Sequence, residues 1–487
     1  MYLKGIAIAS HPPVIIPEIG GGRELKAEKT IRGIRNLAMK TAEIRPDTIV
    51  LITPHGNVFQ DGVSVVYETR IQGDFGDFGA SDIAIEKECD MGLLDEMNRR
   101  FAENNCESIF LNARTAEEYD IKRELDYASL VPLYYLDHYY PDYKVVHITI
   151  GHLSLIELFR IGRVLREAIE VNGKDTMILA SADLSHALMD DGPYQFDPAG
   201  PIFDEKMITS LQNKDYYSIL TMSPAIYDPA AQCGLRPIVM ALGATDSIKT
   251  QSRVFSYEGP YGVGYLTALI TFDLDQEDPT QESLISRFER DMVKAHDNRM
   301  KNEDAWTALA RATVDTWAET GRQIDYDNWK SERTDTEAIA QMEREQAGVF
   351  VSLYKGGELR GCMGTAAPVT ACVAREIIRN AIEACAYDPR FLPVEVQELY
   401  QLEISVDVLG SPETVESLDD LDPAVYGIIV EKDMRRALLL PGLAGIITPE
   451  RQLEVAKEKA GIFEADDEGS PLIVQRFKVE RHVAKDQ

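Results

Sequence analysis

Apolar and polar residues along the first 270 positions form stretches that are typical of strands and helices in turn. Short, continuous apolar runs, as expected for strands buried on both faces, alternate with stretches that have apolar residues at helical spacing. The clearest helical stretch is Ser154–Glu170, where Leu, Ile and Phe recur at that spacing. This alternation predicts an α/β domain in which helices flank a central sheet on both faces.

The same pattern places the individual elements of this first part. It predicts strands at Tyr2–Ser10, Asp47–Pro54, Val63–Thr69, Lys144–Ile150, Thr176–Ala182, Arg253–Glu258 and Gly264–Phe272. It predicts helices at Arg23–Ile44, Ile83–Asn104, Leu130–Tyr139, Ser154–Glu170, Ile202–Gln212 and Leu235–Leu242.

An acidic stretch, Asp273–Ser283, contains Pro279 and has little to bury, so it predicts a linker between domains. Beyond it, helices and strands no longer alternate strictly, which favours a separate α+β domain. A chain of 487 residues also exceeds what one hydrophobic core usually organises. We therefore assign residues 1–273 to the first domain, 274–283 to the linker and 284–487 to the second domain.

Composition and charge narrow the function classes. The formal net charge of −31 argues against binding to nucleic acid or to anionic membranes, since both require a basic surface. No apolar run is long enough to span a membrane and no secretory leader is recognisable, so we expect a cytoplasmic protein. The six cysteines are scattered without close pairs, which indicates reduced thiols rather than a disulfide framework or a zinc ribbon.

Three histidines follow predicted strands. His11, His55 and His186 come at the ends of the apolar runs YLKGIAIAS, DTIVLITP and TMILASADLS. Ligands of open α/β sheets bind beyond the carboxyl ends of the strands, so these imidazoles can converge on one crevice. Converging imidazoles predict a metal site. The alternative for His11 and His55 is a solvated loop histidine, and for His186 a capping or turn residue.

A catalytic non-haem iron site typically adds one anionic ligand to two histidines. Cys233, Glu258 and Asp183 are the candidates, and the residues alone do not choose among them. Cys233 precedes a predicted helix, whose positive end favours a thiolate. Three further histidines have other interpretations. We interpret His147 as a hydrogen-bonded sheet residue, His152 as a reserve candidate and His138 as a surface residue.

The chain resembles the class III extradiol dioxygenases of the LigB-like superfamily, and within it the Memo branch, over about residues 3–272. The resemblance rests on four motifs, with a weaker match in LVPL at 130–133. The four motifs are SHPP at 10–13, TPHG at 53–56, SADLSH at 181–186 and QCGLRP at 232–237.

This resemblance implies roles for single residues. His11 and His55 would be metal ligands, and His186 would be the acid/base histidine. Cys233 falls where the dioxygenases supply a glutamate ligand and where Memo proteins carry a cysteine. Tyr127 stands where many dioxygenases have a histidine, so it is expected to be a weaker proton donor. The implied activity is oxidation of a small phenolic or catechol-like substrate with Fe(II), and Cu or Zn are the alternative metals.

The second domain resembles the AMMECR family over about residues 284–487. LRGCMG at 359–364 is the strongest match, and AYDPRF at 386–391 supports it. Read by itself, Arg360-Gly361-Cys362 places a cation and a thiol in a glycine-permissive turn, so Cys362 is a candidate nucleophile or ligand-binding residue. The alternative is a structural turn with a buried thiol.

The fusion of the two domain types resembles the AmmeMemoRadiSam arrangement, which implies a radical SAM protein as a partner. An accessory metal-binding role beside that partner, without turnover, is the alternative to the oxidoreductase. A third option is thiol chemistry at Cys362. The sequence leaves the oligomeric state open.

Overall fold

A computed structural model of the chain describes residues 1–272, 282–443, 445–463 and 471–484. The chain divides into two compact units, Met1–Arg287 and Phe288–Gln487. Most of the stretch that the sequence assigns to a linker, residues 274–281, lies outside the described residues. No helix of the described residues has the length and apolar character that a membrane crossing requires.

The first unit contains ten strands and ten helices in its described residues. Strands β1–β10 lie at Leu3–Ala9, Thr48–Thr53, Val63–Val66, Arg70–Phe75, Ala80–Glu88, Ser108–Leu111, Lys144–Thr149, Thr176–Ser181, Thr250–Glu258 and Tyr265–Phe272. Helices α1–α10 lie at Pro17–Gly20, Glu28–Ile44, Met91–Glu103, Ala113–Tyr119, Tyr127–Asp137, Leu155–Asn172, Ala199–Asn213, Tyr216–Leu220, Pro224–Tyr227 and Leu235–Gly243.

Eight of these strands form one sheet in the order β6-β3-β7-β2-β8-β1-β10-β9. Its centre is parallel, because β2 pairs in parallel with β7 and β8, and β8 pairs in parallel with β1. Every residue of β2 and of β8 is buried, as expected for parallel strands that are covered on both faces. Helix α6 packs on α3 and α10, while α2 packs on α5, β9 and β10. The predicted α/β class is confirmed.

Three of the predicted elements in this unit are wrong in part. Residues 83–88, predicted as the start of a helix, belong to strand β5, which forms a two-stranded ribbon with β4. The helix begins only at Met91, where the Asp90 side chain accepts a hydrogen bond from the backbone N–H of Leu93. The predicted strand Val63–Thr69 ends at Val66, and Arg23–Ala27 is a 3₁₀ turn ahead of α2.

The second unit is α+β, as predicted. Helices α11–α16 lie at Leu284–Asn302, Ala305–Thr320, Tyr326–Ser331, Thr336–Arg344, Val373–Ala386 and Pro449–Ala460. Strands β11–β17 lie at Val349–Lys355, Glu358–Gly364, Leu402–Leu409, Glu413–Thr414, Tyr426–Lys432, Arg435–Leu439 and Ile473–Val483. The sheet order is β12-β11-β13-β17-β15-β16, with β14 on β17, and all neighbours are antiparallel.

The prediction of a turn at Arg360–Gly364 is wrong, because this motif lies within strand β12. The turn of the β11–β12 hairpin falls earlier, at Gly356 and Gly357, which have φ values of 61° and 85°. Glycine adopts such left-handed conformations at little cost, so these two residues, rather than those of the motif, reverse the chain.

Candidate metal centre

The candidate ligands lie just beyond the carboxyl ends of neighbouring parallel strands. His11 follows β1, His55 follows β2, and His186 lies a few residues beyond β8. Cys233 immediately precedes α10, and a Cβ on the next residue, Gly234, would lie 2.5 Å from the carbonyl oxygen of Asp183. Only glycine therefore lets the cysteine segment approach the end of β8 this closely.

His11, His55 and Cys233 form one compact group of donor atoms. Each offers one ligand atom, and these atoms all lie within 4.8 Å of one another. The Cys233 Sγ atom lies 3.6 Å from His11 Nε2. Among the described residues this is the only group of three or more histidine, cysteine or carboxylate side chains with such geometry. Two imidazoles and a thiol at these distances can converge on a single cation.

A serine at the end of β8 sets the tautomer of His11. Ser181 Oγ lies 2.6 Å from the carbonyl oxygen of Ala128, to which it donates its hydrogen, and 2.9 Å from His11 Nδ1. Because that hydroxyl hydrogen is committed to the carbonyl, the serine oxygen must accept from His11 Nδ1–H. The lone pair of His11 then lies on Nε2, the atom that faces Cys233. Metal-ligating histidines typically have such a partner on their second nitrogen.

His55 carries a buried nitrogen without a partner. Its Nε2 atom has no hydrogen-bond partner among the described residues, although it is inaccessible to solvent. Burial lowers the pKa of both His55 and His11 to about 4, so both rings are neutral at neutral pH. An orphaned, neutral imidazole nitrogen beside a thiol is what a metal site requires before it binds its ion. The residues present therefore fit a metal.

Asp126 is a carboxylate close to this group of donor residues. It caps helix α5, accepts hydrogen bonds from Thr53 Oγ1 and His147 Nε2, and its pKa is held far below the usual range by these partners. The same carboxylate acts electrostatically on His11 and His55, in the direction that raises their pKa values. A buried negative charge at this place favours a cation among the histidines.

The expectation that the dipole of helix α10 lowers the pKa of Cys233 is wrong for the metal-free chain. Burial, and then the nearby Asp183 carboxylate, raise the pKa of Cys233 well above its ordinary value. The Asp183 carboxyl accepts the backbone N–H of His11 at 2.9 Å, and burial raises its own pKa to about 6. Cys233 is therefore a neutral thiol until a cation draws off its proton.

His186 and Tyr127 both lie beside the group. His186 Nε2 lies 3.7 Å from Cys233 Sγ, and burial lowers the pKa of this histidine below its ordinary value. The Tyr127 ring, at the first turn of α5, stacks on His55 with 5.0 Å between ring centroids. Burial raises the pKa of Tyr127, so its hydroxyl stays protonated.

Two aromatic rings that the sequence analysis did not single out flank these residues. Phe78, in the turn between β4 and β5, contacts Tyr127 edge-on at 5.4 Å between centroids. Tyr194 lies over His186 at 5.9 Å. Both rings are more than one-third exposed. Half-buried ligands with exposed aromatic neighbours are suited to a flat, apolar ring.

Of the anionic candidates that the sequence left open, Asp183 lies beside the group, with its Oδ2 3.7 Å from His11 Nε2, whereas Glu258 does not. Glu258 accepts hydrogen bonds from Thr30, at 2.6 and 2.8 Å, and lies outside the donor group. His138 and His152 are exposed and also outside it. His147 is bonded through Nε2, but its Nδ1 has no partner in the described part of the chain, so the interpretation as a satisfied histidine holds for one nitrogen only.

The remaining candidate, Cys362, lies in the second unit within a well-bonded sheet. Its Sγ lies 3.2 Å from Ser352 Oγ, and its backbone N–H donates to Asp388 Oδ2 at 2.9 Å. Arg360, the cation of the motif, forms a salt bridge with Glu398 at 2.8 Å. Cys362 belongs to no group of metal-binding side chains among the described residues.

Asp204 fixes the backbone just before His186. This residue of α7 is 1% exposed, and it accepts the Ser185 N–H at 2.8 Å and the Tyr257 hydroxyl at 2.6 Å. Burial raises the pKa of Asp204 to about 7. The folded chain holds this proton more tightly than the unfolded chain does. The protonated Asp204 therefore contributes fully to the free energy of unfolding at low pH, and this contribution is lost as the pH rises towards 7.

We expect Asp204→Asn to remove that pH dependence. The variant is neutral throughout, so relative to the wild type its free energy of unfolding should gain about 2 kcal/mol between about pH 5 and about pH 7. Urea unfolding of metal-free protein at several pH values measures this. Asp197→Asn, at the start of α7, is the control and should follow the wild type. Parallel curves for the wild type and Asp204→Asn would contradict the prediction.

The fold and this donor set define a class, that of α/β proteins with a candidate metal-binding group at the ends of parallel strands. The family model for the catalytic LigB subunit of aromatic ring-opening dioxygenase matches residues 5–268, and the AMMECR1 model matches residues 307–482. The chain therefore belongs to the LigB family, and it carries an AMMECR domain after the LigB domain, as the sequence motifs predicted.

The chain is similar to proteins of several organisms. Protein CA_C1420 of Clostridium acetobutylicum is 37% identical over 484 residues, covering 99% of both chains. A Thermotoga maritima protein is 41% identical over 184 residues, covering 38% of this chain and 99% of its own. Two solved structures align with TM-scores of 0.33 and 0.37. They are the uncharacterized protein PH0010 of Pyrococcus horikoshii (28% identical, covering 37% of this chain and 90% of its own) and JW3007 of Escherichia coli (14% identical, covering 55% and 99%).

Proposed function

We propose that this chain is a metal-dependent oxidoreductase of the extradiol dioxygenase type, acting with Fe(II) and dioxygen on a small catechol-like substrate. The observation that carries the proposal is the group of His11, His55 and Cys233, whose donor atoms all lie within 4.8 Å. Three protein ligands leave coordination positions open, as a catalytic metal requires and a structural one does not.

The metal and the protein have separate roles in the proposed chemistry. Fe(II), when bound by the two imidazoles and the thiolate, supplies the redox chemistry with dioxygen and a Lewis-acidic centre for the two oxygens of a catechol. The protein's part is to hold the ion at an accessible place, since His55 and Cys233 are only half-buried. The fixed tautomer of His11 keeps one lone pair directed at the ion.

His186 is the proposed acid/base residue. Its Nε2 lies 3.7 Å from Cys233 Sγ, within reach of a phenolic hydroxyl of a molecule held beside the ligands. Because burial lowers its pKa, the ring is neutral at pH 7 and is able to accept that proton. Tyr127 keeps its proton and would donate a hydrogen bond to a substrate oxygen. Phe78 and Tyr194 would contact the two sides of the substrate ring.

Oxygen consumption tests the proposal directly. Protein purified anaerobically and loaded with one equivalent of Fe(II) should consume dioxygen when catechol, 4-methylcatechol or 3,4-dihydroxyphenylacetate is added. One mole of oxygen should disappear for each mole of ring-opened product. The same protein loaded with Zn(II) is the control, and it should consume none because zinc has no redox chemistry.

The donor set itself favours a second candidate function. A thiolate is softer than the carboxylate of typical non-haem iron sites, and two imidazoles with a thiolate also suit Cu or Zn. The alternative is thus a metal-binding protein without turnover that serves a radical SAM partner. Stoichiometric Fe(II) binding without oxygen consumption for any catechol would favour this role, as would much tighter binding of Cu(I) or Zn(II) than of Fe(II).

A further inference from the structure

A cavity lies within the second unit. Its volume is about 570 Å³, which is in the range of small-molecule sites. Helices α11 and α12, strands β11 and β13 and the end of β17 enclose it. The lining residues are Ala295, Asn298, Arg299, Asn302, Glu303, Arg311, Tyr354, Glu403, Ile404, Ser405, Val483 and Ala484.

In the described part of the chain, buried polar atoms without partners occur on the walls of this cavity and on the helices beside it. Two belong to residues that line it, Arg311 Nη1 and Arg299 Nε. Two more lie one helical turn from these arginines, His296 Nδ1 on α11 and Asp315 Oδ1 on α12. Buried polar groups in native proteins are nearly always paired, and each unpaired one costs free energy. The two unpaired donors on lining residues indicate that a ligand completes their bonding.

Some N–H donors of these two arginines have partners in the protein and others do not. The Arg311 side chain is only 2% exposed, its Nε donates to Glu303 at 2.6 Å and its Nη2 donates to the carbonyl of Leu402 at 3.0 Å. Arg299 Nη2 donates to the carbonyl of Tyr400 at 2.6 Å. Arg311 Nη1 and Arg299 Nε therefore have no partner among the described residues. Guanidinium groups with spare N–H donors are preferred binders of carboxylates.

The acidic residues of the cavity define the rest of the ligand. Glu303 is already paired with Arg311, so its charge is compensated. Glu403 lines the same cavity and is exposed, and no salt bridge to it occurs within 4.0 Å among the described residues. Glu403 acts electrostatically on Arg299, so a ligand with a carboxylate alone would place its charge close to that of Glu403. An ammonium group on the same ligand offsets that repulsion, whereas a purely cationic ligand would leave the two arginines without an anion.

We propose that this cavity binds a small aminocarboxylate of the α-amino acid class. The carboxylate pairs with the guanidinium groups of Arg299 and Arg311, and the ammonium group pairs with Glu403. The volume exceeds that of a single amino acid, so a side chain of any size is accommodated. The site gives the AMMECR domain a ligand of its own, independent of the metal centre.

Calorimetric titration of the full-length chain tests this inference. The probes are the twenty common α-amino acids, each added singly, and inorganic phosphate. At least one amino acid should bind once per chain with a Kd below about 1 mM. Its deamino carboxylic acid should bind at least about tenfold more weakly, because its carboxylate then meets the charge of Glu403 without a compensating ammonium group. Binding of phosphate alone, or of no probe, would overturn the proposal.

Two variants locate the binding. Arg299→Gln removes one guanidinium, and Ala295→Leu fills part of the cavity without changing its charge. Each should weaken binding at least about tenfold. The matched controls are Arg451→Gln on α16 and Val293→Leu on α11, neither of which lines the cavity, and both should bind like the wild type. Unaltered affinity in both cavity variants, with thermal unfolding showing them folded, would also overturn the proposal.

Discussion

His55→Ala is expected to lower the affinity of the chain for Fe(II) at least about 100-fold, while the protein remains folded. The substitution removes one of three ligands, a larger loss than that of an outer hydrogen-bond partner, which alone costs 10- to 100-fold in other metal sites. His55 is half-buried in a loop, so its loss leaves the core intact. Competition with a chromogenic chelator measures the affinity, and elemental analysis after gel filtration measures the metal content.

His138→Ala provides the matched control for this variant. His138 is an exposed histidine of the same domain, and its Nδ1 bonds only to the carbonyl of Tyr134. It should bind metal like the wild type. If His55→Ala retained the full metal content and affinity, the ion would have to be held by other side chains, and the three-ligand site would be wrong.

The parts of the fold that the sequence predicts well are those in which local pattern and burial agree. Strands β2 and β8 are continuous apolar runs because both of their faces are covered, and their predicted bounds are close to the observed ones. The β4–β5 ribbon was missed because it is largely exposed. In β5 only Ile85 and Lys87 are buried, so the alternation of buried and exposed residues that is typical of a strand is short. It also runs directly into the apolar spacing of helix α3.

The residues of the candidate site also differ in how well the sequence predicts them. His11 and His55 could be predicted from the strands that precede them, whereas Cys233 was predicted only through the family resemblance, because the residues alone did not distinguish it from Glu258 and Asp183. Ser181 and Asp126 were missed, because their roles depend on partners distant in sequence. Asp126 did carry one usable signal, an aspartate directly before a helix, which is typical of an N-cap. Phe78 and Tyr194 offered none, since both lie in irregular loops.

The directions of the pKa shifts were the hardest features to predict from the sequence. A cysteine before a helix suggests a lowered thiol pKa, yet burial and the Asp183 carboxylate raise the pKa of Cys233 instead. Desolvation outweighs the helix dipole here because it acts on the whole charge, whereas the dipole supplies only about half a charge at the helix end. The same burial lowers the pKa of His186.

His186→Ala is expected to lower catechol turnover by about 100- to 10,000-fold, the usual contribution of a general acid or base, while the iron content stays at the wild-type level. The imidazole is not part of the three-ligand group, so removing it takes away the proton acceptor and leaves the ligands in place. In the wild type, the value of kcat/KM should rise with pH to a plateau, because only the neutral ring accepts a proton. Oxygen consumption across a pH series, with iron analysis of each sample, measures both quantities.

The control is His152→Ala, an exposed histidine that follows β7 and lies outside the donor group. It should turn over catechol like the wild type and show the same pH profile. Should His186→Ala lose its iron together with its activity, His186 would be a ligand rather than the acid/base residue. Should it keep both, the proton of the substrate must go elsewhere. Tyr127 is a poor replacement, because its raised pKa keeps its hydroxyl protonated at neutral pH.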